Sequence, residues 1–417
     1  MTELVISLMP ENGTLEDTLR NQKSFYFVFK NKQFDMKTKQ SIYFAGGISS
    51  TQPLAESVGH APADWVIIFG ARNMLEQDDL MSKVIASHPG RIFSGCSTAG
   101  EIMENNVFDE SIVVTEINFE KTTLQHRQLS MDSFSDSYAA GEALIQELPK
   151  NDLRHVFVLC DGLHVNGSEL VRGLRNNCPA GVNITGGLAG DGQDFQKTLV
   201  LDKAGKAAKK MITAIGFYGK DLQVGFGSYG GWDTFGMERL VTKSQSNVLY
   251  ELDGTPALEL YKSYLGELAD QLPASGLLFP LSLRYKADHQ PVVRTILSVN
   301  EQEQSLTFAG DIPQGSYVRL MKANTDRLVD GAITAAENTA KPLLGTSPEL
   351  SLLISCVGRK LVLKQMIEEE IEGVREVLGD KSTFAGFYSY GEISPFTLDA
   401  KCELHNQTMT ITTFSER

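Results

Sequence analysis

The stretch Gly95-Cys96-Ser97-Thr98-Ala99-Gly100-Glu101-Ile102 puts a thiol, two hydroxyls and a carboxylate into one glycine-bounded turn. A thiolate placed just after a strand is the setting of a nucleophile, so a thiol or Ser/Thr hydrolase centred on Cys96 to Thr98 is one reading. The spacing speaks against it. The second glycine falls one position too late for Gly-x-Ser-x-Gly, and no histidine or aspartate is tied to Cys96 by spacing. A small buried thiol is the simpler role. A second set lies toward the C-terminus: Arg359, Tyr388, Glu392, His405 and Asn406. A guanidinium clamps a carboxylate bidentately, a carboxylate holds an ammonium, and an amide and an imidazole orient the rest. That chemistry suits an amphoteric ligand which is bound rather than turned over. The structural alternative is an Arg–Glu pair closing a sheet edge, with Asn406 capping a turn.

A third turn, Gly186-Gly187-Leu188-Ala189-Gly190-Asp191-Gly192, invites a phosphate cradle. It lacks the lysine of a P-loop and departs from Gly-x-Gly-x-x-Gly, and Asp191 would repel phosphate. Trp232, Tyr388 and Tyr390 stand near glycine turns, where aromatic rings line pockets or fill cores.

The elements that must position these residues recur three times. Trp65-Val66-Ile67-Ile68-Phe69 reads as a buried strand. It is followed by the turn Gly70-Ala71-Arg72, a helix through Ile85, and the strand Arg91-Ile92-Phe93 entering the Cys96 turn. Leu352-Leu353-Ile354-Ser355-Cys356 begins the same sequence. The turn Val357-Gly358-Arg359 comes next, then a glutamate-rich helix, then a strand entering Gly386-Phe387-Tyr388-Ser389-Tyr390-Gly391-Glu392-Ile393. Both turns read Gly-x-x-Ser/Thr-x-Gly-Glu-Ile. Val156-Phe157-Val158-Leu159-Cys160 opens a looser copy, with a helix from Ser168 to Arg175, Ser168 as N-cap, and the Gly186 turn. A β-rich stretch follows each turn. The unit is strand, helix, strand, glycine turn, strand. Glu101, Glu392 and Asp191 leave the turns at strand ends, where many α/β sites lie. Cys96, Ser97, Glu101 and Asp191 therefore join the candidate ligand-binding residues.

The pattern predicts an α+β chain of two related lobes with largely antiparallel sheets flanked by helices, the N-terminal lobe carrying two units. Residues 1–40 form an N-terminal extension with a strand near Phe25 to Phe29. The first domain covers 41–219 and the second 220–417, meeting at the turn-like Tyr218-Gly219-Lys220-Asp221. In the second domain a helix follows Thr255 as N-cap and Pro256 at the first helical position, and another spans Thr325 to Ala340.

The signature turns at Gly95–Ile102 and Gly186–Gly192 resemble those of the FIST N-terminal domain. Ser355-Cys356-Val357-Gly358-Arg359, Gly386–Ile393 and Leu404-His405-Asn406-Gln407-Thr408 resemble those of the FIST C-terminal domain. The resemblance covers roughly residues 40 to 417. It implies a bacterial sensory module for a small ligand, amino acids among them. Such a module stands alone or is joined to kinases, cyclic-di-GMP enzymes or chemotaxis receptors. One free-standing branch binds haem, senses nitric oxide and regulates a partner histidine kinase. For that branch His405 is the candidate axial ligand, in a non-covalent site, since no Cys-x-x-Cys-His is present. His60, His88, His126, His155, His164 and His289 are the other histidines, and sequence does not choose among the seven.

Net charge sets the remaining bounds. The formal charge of −14 repels phosphate backbones and anionic lipid, and the densest basic run, Lys206 to Lys210, is short, so no nucleic acid partner is expected. No apolar stretch approaches the ~20 residues that span a bilayer, and the N-terminus lacks a signal-peptide pattern. Five widely spaced cysteines without a Cys-x-x-Cys pair read as reduced thiols in a cytoplasmic protein. The expected role is a non-enzymatic sensor reporting to a separate histidine kinase or cyclic-di-GMP enzyme.

Overall fold

The structure is a computed structural model that describes residues 36–44, 62–285, 291–340, 347–396 and 400–417, together with a two-stranded pairing of Leu4–Val5 with Val28–Phe29. Most of the 1–40 extension lies outside these residues, and Lys37–Phe44 is a strand of the first unit.

Three units share one topology. Each has a parallel pair of strands: Trp65–Gly70 with Phe93–Ser97, Leu153–Cys160 with Asn183–Leu188, and Leu350–Cys356 with Thr383–Ser389. The last strand of each unit runs antiparallel beside the first of that pair: Ser111–Asn118, Met211–Tyr218 and Met409–Glu416. Outside it lies the unit's opening strand: Lys37–Phe44, Thr123–Ser130 and Leu222–Tyr229. The N-terminal lobe carries two units and the C-terminal lobe one, the α+β arrangement the sequence pattern predicts.

Each unit gives its neighbour a hairpin. After the Gly95 turn, Glu101–Met103 pairs with unit three at Thr383–Ser389. After the Gly386 turn, Gly391–Pro395 pairs with unit two at Asn183–Leu188. Beyond the Gly186 turn, Val200–Leu201 pairs with unit one at Phe93–Ser97. Every six-stranded sheet is therefore four strands of its own unit and two of the next, in a closed cycle.

The period-two alternation of the first strands explains the core. Trp65, Ile67 and Phe69, then Phe157 and Leu159, then Leu350, Leu352 and Ile354 meet in one cluster fed by all three sheets. Trp65 stands edge-on to Phe217 at 5.3 Å and Phe217 stacks on Phe414 at 5.1 Å. Burying each such ring stabilises the fold by ~1.5–3 kcal/mol. The alternate residues face helices: Val66 and Ile68 pack with Met81 and Val84 of Asp78–Ser87, and Leu353 packs with Ile371 and Val374 of Ile367–Leu378.

A β domain from Asp233 to Lys322, with its own core around Val241, Leu258, Leu283 and Phe308, is inserted between Leu222–Tyr229 and the Thr325–Ala340 helix. Three local expectations change. Asn166, not Ser168, caps the Gly167–Asn177 helix, accepting from the N–H groups of Ser168 (3.1 Å) and Glu169 (3.2 Å). Pro256 occupies the cap position of the Ala257–Leu265 helix, because Thr255–Pro256 first pairs with Val248–Leu252. Val357-Gly358-Arg359 is the start of the helix Val357–Leu363 rather than a turn.

Candidate functional site

The three turns meet at the centre of the cycle. Gly95, Gly186 and Gly386 lie against the backbone of the neighbouring parallel strand, where a Cβ would overlap the carbonyl oxygens of Ile68, Val158 and Leu353. Only glycine fits there, and for Gly95 and Gly186 φ is also strongly positive. Two and four residues beyond each glycine, the turns bond to one another. The N–H of Ala99 donates to the carbonyl of Tyr388 (2.8 Å), that of Tyr390 to Leu188 (3.2 Å) and that of Gly190 to Ser97 (2.9 Å). Donors and acceptors occupy matching positions in the three turns, so the bonds close a ring of threefold pseudosymmetry.

The shared Ser/Thr-x-Gly-Glu spacing has a physical reading in this ring. The Thr98 hydroxyl donates to Glu101, whose other oxygen accepts from Ser111 Oγ at 2.6 Å. The Ser389 hydroxyl donates to Glu392, whose other oxygen accepts from the Thr408 hydroxyl at 3.0 Å and its N–H at 3.2 Å. Glu101 thereby ties its turn to the unit's last strand, and Glu392 to the residue leading into it. Burial pushes the Glu101 carboxyl up to about 7 and that of Glu392 up to about 8. Unit two differs: Ala189 and Gly192 stand where the hydroxyl and glutamate would be. Asp191 instead accepts from the N–H groups of Gln196 (2.9 Å) and Lys197 (2.7 Å) and from the Tyr390 hydroxyl.

Above the unit-one turn lies a cavity of about 410 Å3. Thr98, Gly100 and Glu101 line it from unit one's turn, Asp191 and Asp194 from unit two, and Lys360 from unit three. Arg72 enters from the end of the Trp65 strand, bonded to Asp194 at 2.9 Å with its Nε 3.8 Å from Asp191. Lys360 Nζ donates to the Ala99 carbonyl at 2.9 Å and to Asp109. Two cations thus face a larger set of carboxylates across a space contributed by all three units.

Family comparison agrees with this architecture: the FIST N domain matches residues 64–255 and the FIST C domain residues 257–395. The chain belongs to the FIST family. FIST domains are sensory domains of signal-transduction proteins, which gives this chain a sensory role. An uncharacterised protein of Methanocaldococcus jannaschii is 25% identical over 240 residues, 53% of this chain and 43% of that protein. The chain thus spans less than half the length of that curated relative. A chorismatase crystal structure covers 93% of this chain and 99% of its own at 8% identity, with a TM-score of 0.33. Among the described residues, no helix is long and apolar enough to cross a membrane.

Within the FIST fold the sequence-derived candidates separate. Glu101 and Asp191 line the cavity. Cys96 is wholly buried in the central core, where burial raises its thiol pKa. Ser97 Oγ accepts from the Leu199 N–H at 2.9 Å. Arg359 does not clamp Glu392. Its guanidinium pairs with Glu370 (2.8 and 3.1 Å), both side chains without exposure, and donates to the carbonyls of Leu328 (2.6 Å) and Gly230. Tyr388 donates to the same Glu370 at 2.6 Å. Asn406 spans Thr295 and Tyr390, accepting from the N–H of the first at 3.4 Å and donating to the carbonyl of the second at 3.2 Å. Trp232 donates to the Gln407 carbonyl at 2.9 Å and lines a separate cavity of about 610 Å3.

The residues do not fit haem at His405. Its ring is buried edge-on to Phe396 at 4.1 Å and its Nε2 donates to the Ser394 carbonyl at 2.7 Å. Burial depresses its pKa to about 4. None of the described cavities reaches the remaining nitrogen. His164 does line a cavity, but among the described residues no lysine or arginine is there to pair with haem propionates. His60 and His289 lie outside the described residues.

Sequence reasoning missed Arg72, Lys360, Asp194 and Glu370. A signal for the first was present: Arg72 lies two residues beyond the Trp65–Gly70 strand. Lys360 was hidden behind its neighbour Arg359, because only the helical start at Val357 turns the two side chains in different directions.

Proposed function

We propose that this FIST protein is a sensor for a small amphoteric ligand of amino-acid size, bound in the cavity above the unit-one turn. The observation that carries this reading is the convergence of Arg72 and Lys360 with Glu101, Asp109, Asp191 and Asp194 around about 410 Å3. A cavity of that volume takes a small metabolite. The cations receive its carboxylate and the acids its ammonium. Because three units supply the walls, an occupant favours the arrangement in which they close around it, and that population shift alters the surface shown to a partner. The partner is a separate signalling protein such as a histidine kinase or a cyclic-di-GMP enzyme. Five unpaired cysteines support placement in the cytoplasm. We read the site as a receptor and not as a hydrolase: the inaccessible Cys96 thiol, with its raised pKa, supports this.

The test is a thermal-shift and calorimetric screen of the proteinogenic amino acids and their decarboxylated and deaminated analogues. At least one zwitterion should raise Tm, by an amount equivalent to about 2.7 kcal/mol at a hundredfold excess over Kd. Arg72→Met with Lys360→Met should abolish the shift. If no zwitterion binds, or if the double variant binds as the parent does, the reading fails.

A further inference from the structure

His164 lies outside the cavity just described and has an environment no other described histidine shares. Its Nδ1 is 3.0 Å from Oδ2 of Asp161, a carboxylate with no exposure at the end of the Leu153–Cys160 strand. That oxygen also accepts from the Lys210 N–H at 2.6 Å. The other accepts from the N–H groups of Leu163 (2.9 Å) and His164 (3.1 Å) and from the Thr198 hydroxyl. Asp161 is thus surrounded by donors and offers only acceptors. Nδ1 must bring the proton to their contact, so this geometry selects the tautomer whose lone pair is on Nε2. Nε2 has no hydrogen-bond partner among the described residues, and the side chain is 36% exposed into a cleft of about 460 Å3.

The walls of that cleft select the occupant. Unit two supplies Phe195 beside His164, and the inserted β domain supplies Asn247, Leu297 and Thr307 opposite. Among the described residues, no lysine, arginine, aspartate or glutamate lines it. An ion entering would lose water without gaining a counter-charge, whereas a flat apolar ring meets phenyl and leucyl surface and one fixed acceptor. We propose that this cleft is a second ligand site, for an uncharged aromatic or heteroaromatic molecule that donates an O–H or N–H to His164 Nε2. The occupant would touch two bodies at once. Unit two and the insert already bond beside the cleft, through Asn166 Nδ2 to Asp311 (2.8 Å) and the Asp311 N–H to Ser168 Oγ (3.2 Å). A bound ring extends that bridge and fixes the insert against unit two.

Phenol is the probe, and anisole the same ring without its donor. With the full chain labelled with nitrogen-15 at histidine, the ring-nitrogen resonances of His164 report contact directly. Phenol should shift the Nε2 resonance saturably, and anisole should bind roughly tenfold more weakly, as expected for one lost hydrogen bond. His164→Phe, followed by calorimetry, should weaken phenol binding roughly tenfold and leave anisole binding nearly unchanged. Thr307→Tyr, which fills the cleft from the insert and leaves the His164–Asp161 pair intact, should abolish phenol binding while the Nδ1 resonance keeps its position. Unmoved His164 resonances at saturating phenol, equal binding of phenol and anisole, or unimpaired binding by Thr307→Tyr would each overturn the proposal.

Discussion

Glu392 makes stability depend on pH in an unusual direction. Its carboxyl is buried and pushed up to about 8, and Glu101 up to about 7, against an ordinary value near 4.5. A raised carboxyl holds its proton in the folded chain after the unfolded chain has lost it. The associated stability is complete below about 4.5 and is lost as pH rises through 7 and 8. The buried histidines act in the opposite sense. Burial depresses His155 to about 3 and His126 and His405 to about 4, so their contribution is complete well above 6.5 and is lost as pH falls. Between 6.5 and 8 the three histidines are neutral in the folded chain but still partly protonated in the unfolded one, so each gains about 0.4 kcal/mol while the glutamates lose stability. At 1.36 kcal/mol per proton and pH unit, integrating the two glutamate titrations from 6.5 to 8 gives a loss of about 2.4 kcal/mol, of which Glu392 supplies about 1.6; against the gain of about 1.2 from the histidines, the net loss is about 1.2. Glu392→Gln keeps the shape, removes the titration and should turn the net loss into a gain of about 0.4 kcal/mol, a difference of about 1.6 from the parent. Urea unfolding across this range, with parent and variant side by side, measures both values. A parent whose stability is flat or rising from pH 6.5 to 8, or a variant with the parent's slope, would show that Glu392 is not held protonated by burial.

Three further outcomes follow from the ring and its supports. Arg359→Met leaves Glu370 buried without its cation and should destabilise the chain by ~3–5 kcal/mol, while adding Glu370→Leu should recover most of that loss in the same denaturation assay. Gly186→Ala drives a Cβ into the Val158 carbonyl and should cost more than ~4 kcal/mol, read as loss of soluble protein or a collapse of Tm, whereas Gly181→Ala, whose Cβ meets nothing, should fold with only local strain. Mass spectrometry after brief alkylation of the native protein should find label at the half-buried Cys178 and none at Cys96, Cys160, Cys356 or Cys402, with all five labelled after unfolding.

The amino-acid sequence by itself determined the units. Apolar runs such as Trp65 to Phe69 and Leu350 to Ile354 fix strands through local alternation. The Gly-x-x-Ser/Thr-x-Gly-Glu-Ile spacing fixes a turn whose glycine and hydroxyl act within a few residues of each other. Such features are legible because their causes are local in the chain. Tertiary structure alone decided which acid meets open space. Glu101 and Glu392 have the same local motif, yet only Glu101 borders the described cavity; Glu392 is sealed beneath Thr408. The same holds for Arg359, whose partners Gly230 and Leu328 lie far away in the chain, and for the ring that joins Ala99 to Tyr388. The cyclic exchange of hairpins closes the ring, and the packing of unit three's own helices brings Gly230 and Leu328 to Arg359. Contacts across hundreds of residues leave no periodicity in the sequence, because they depend on which sheet edge a hairpin reaches and not on the residues beside it.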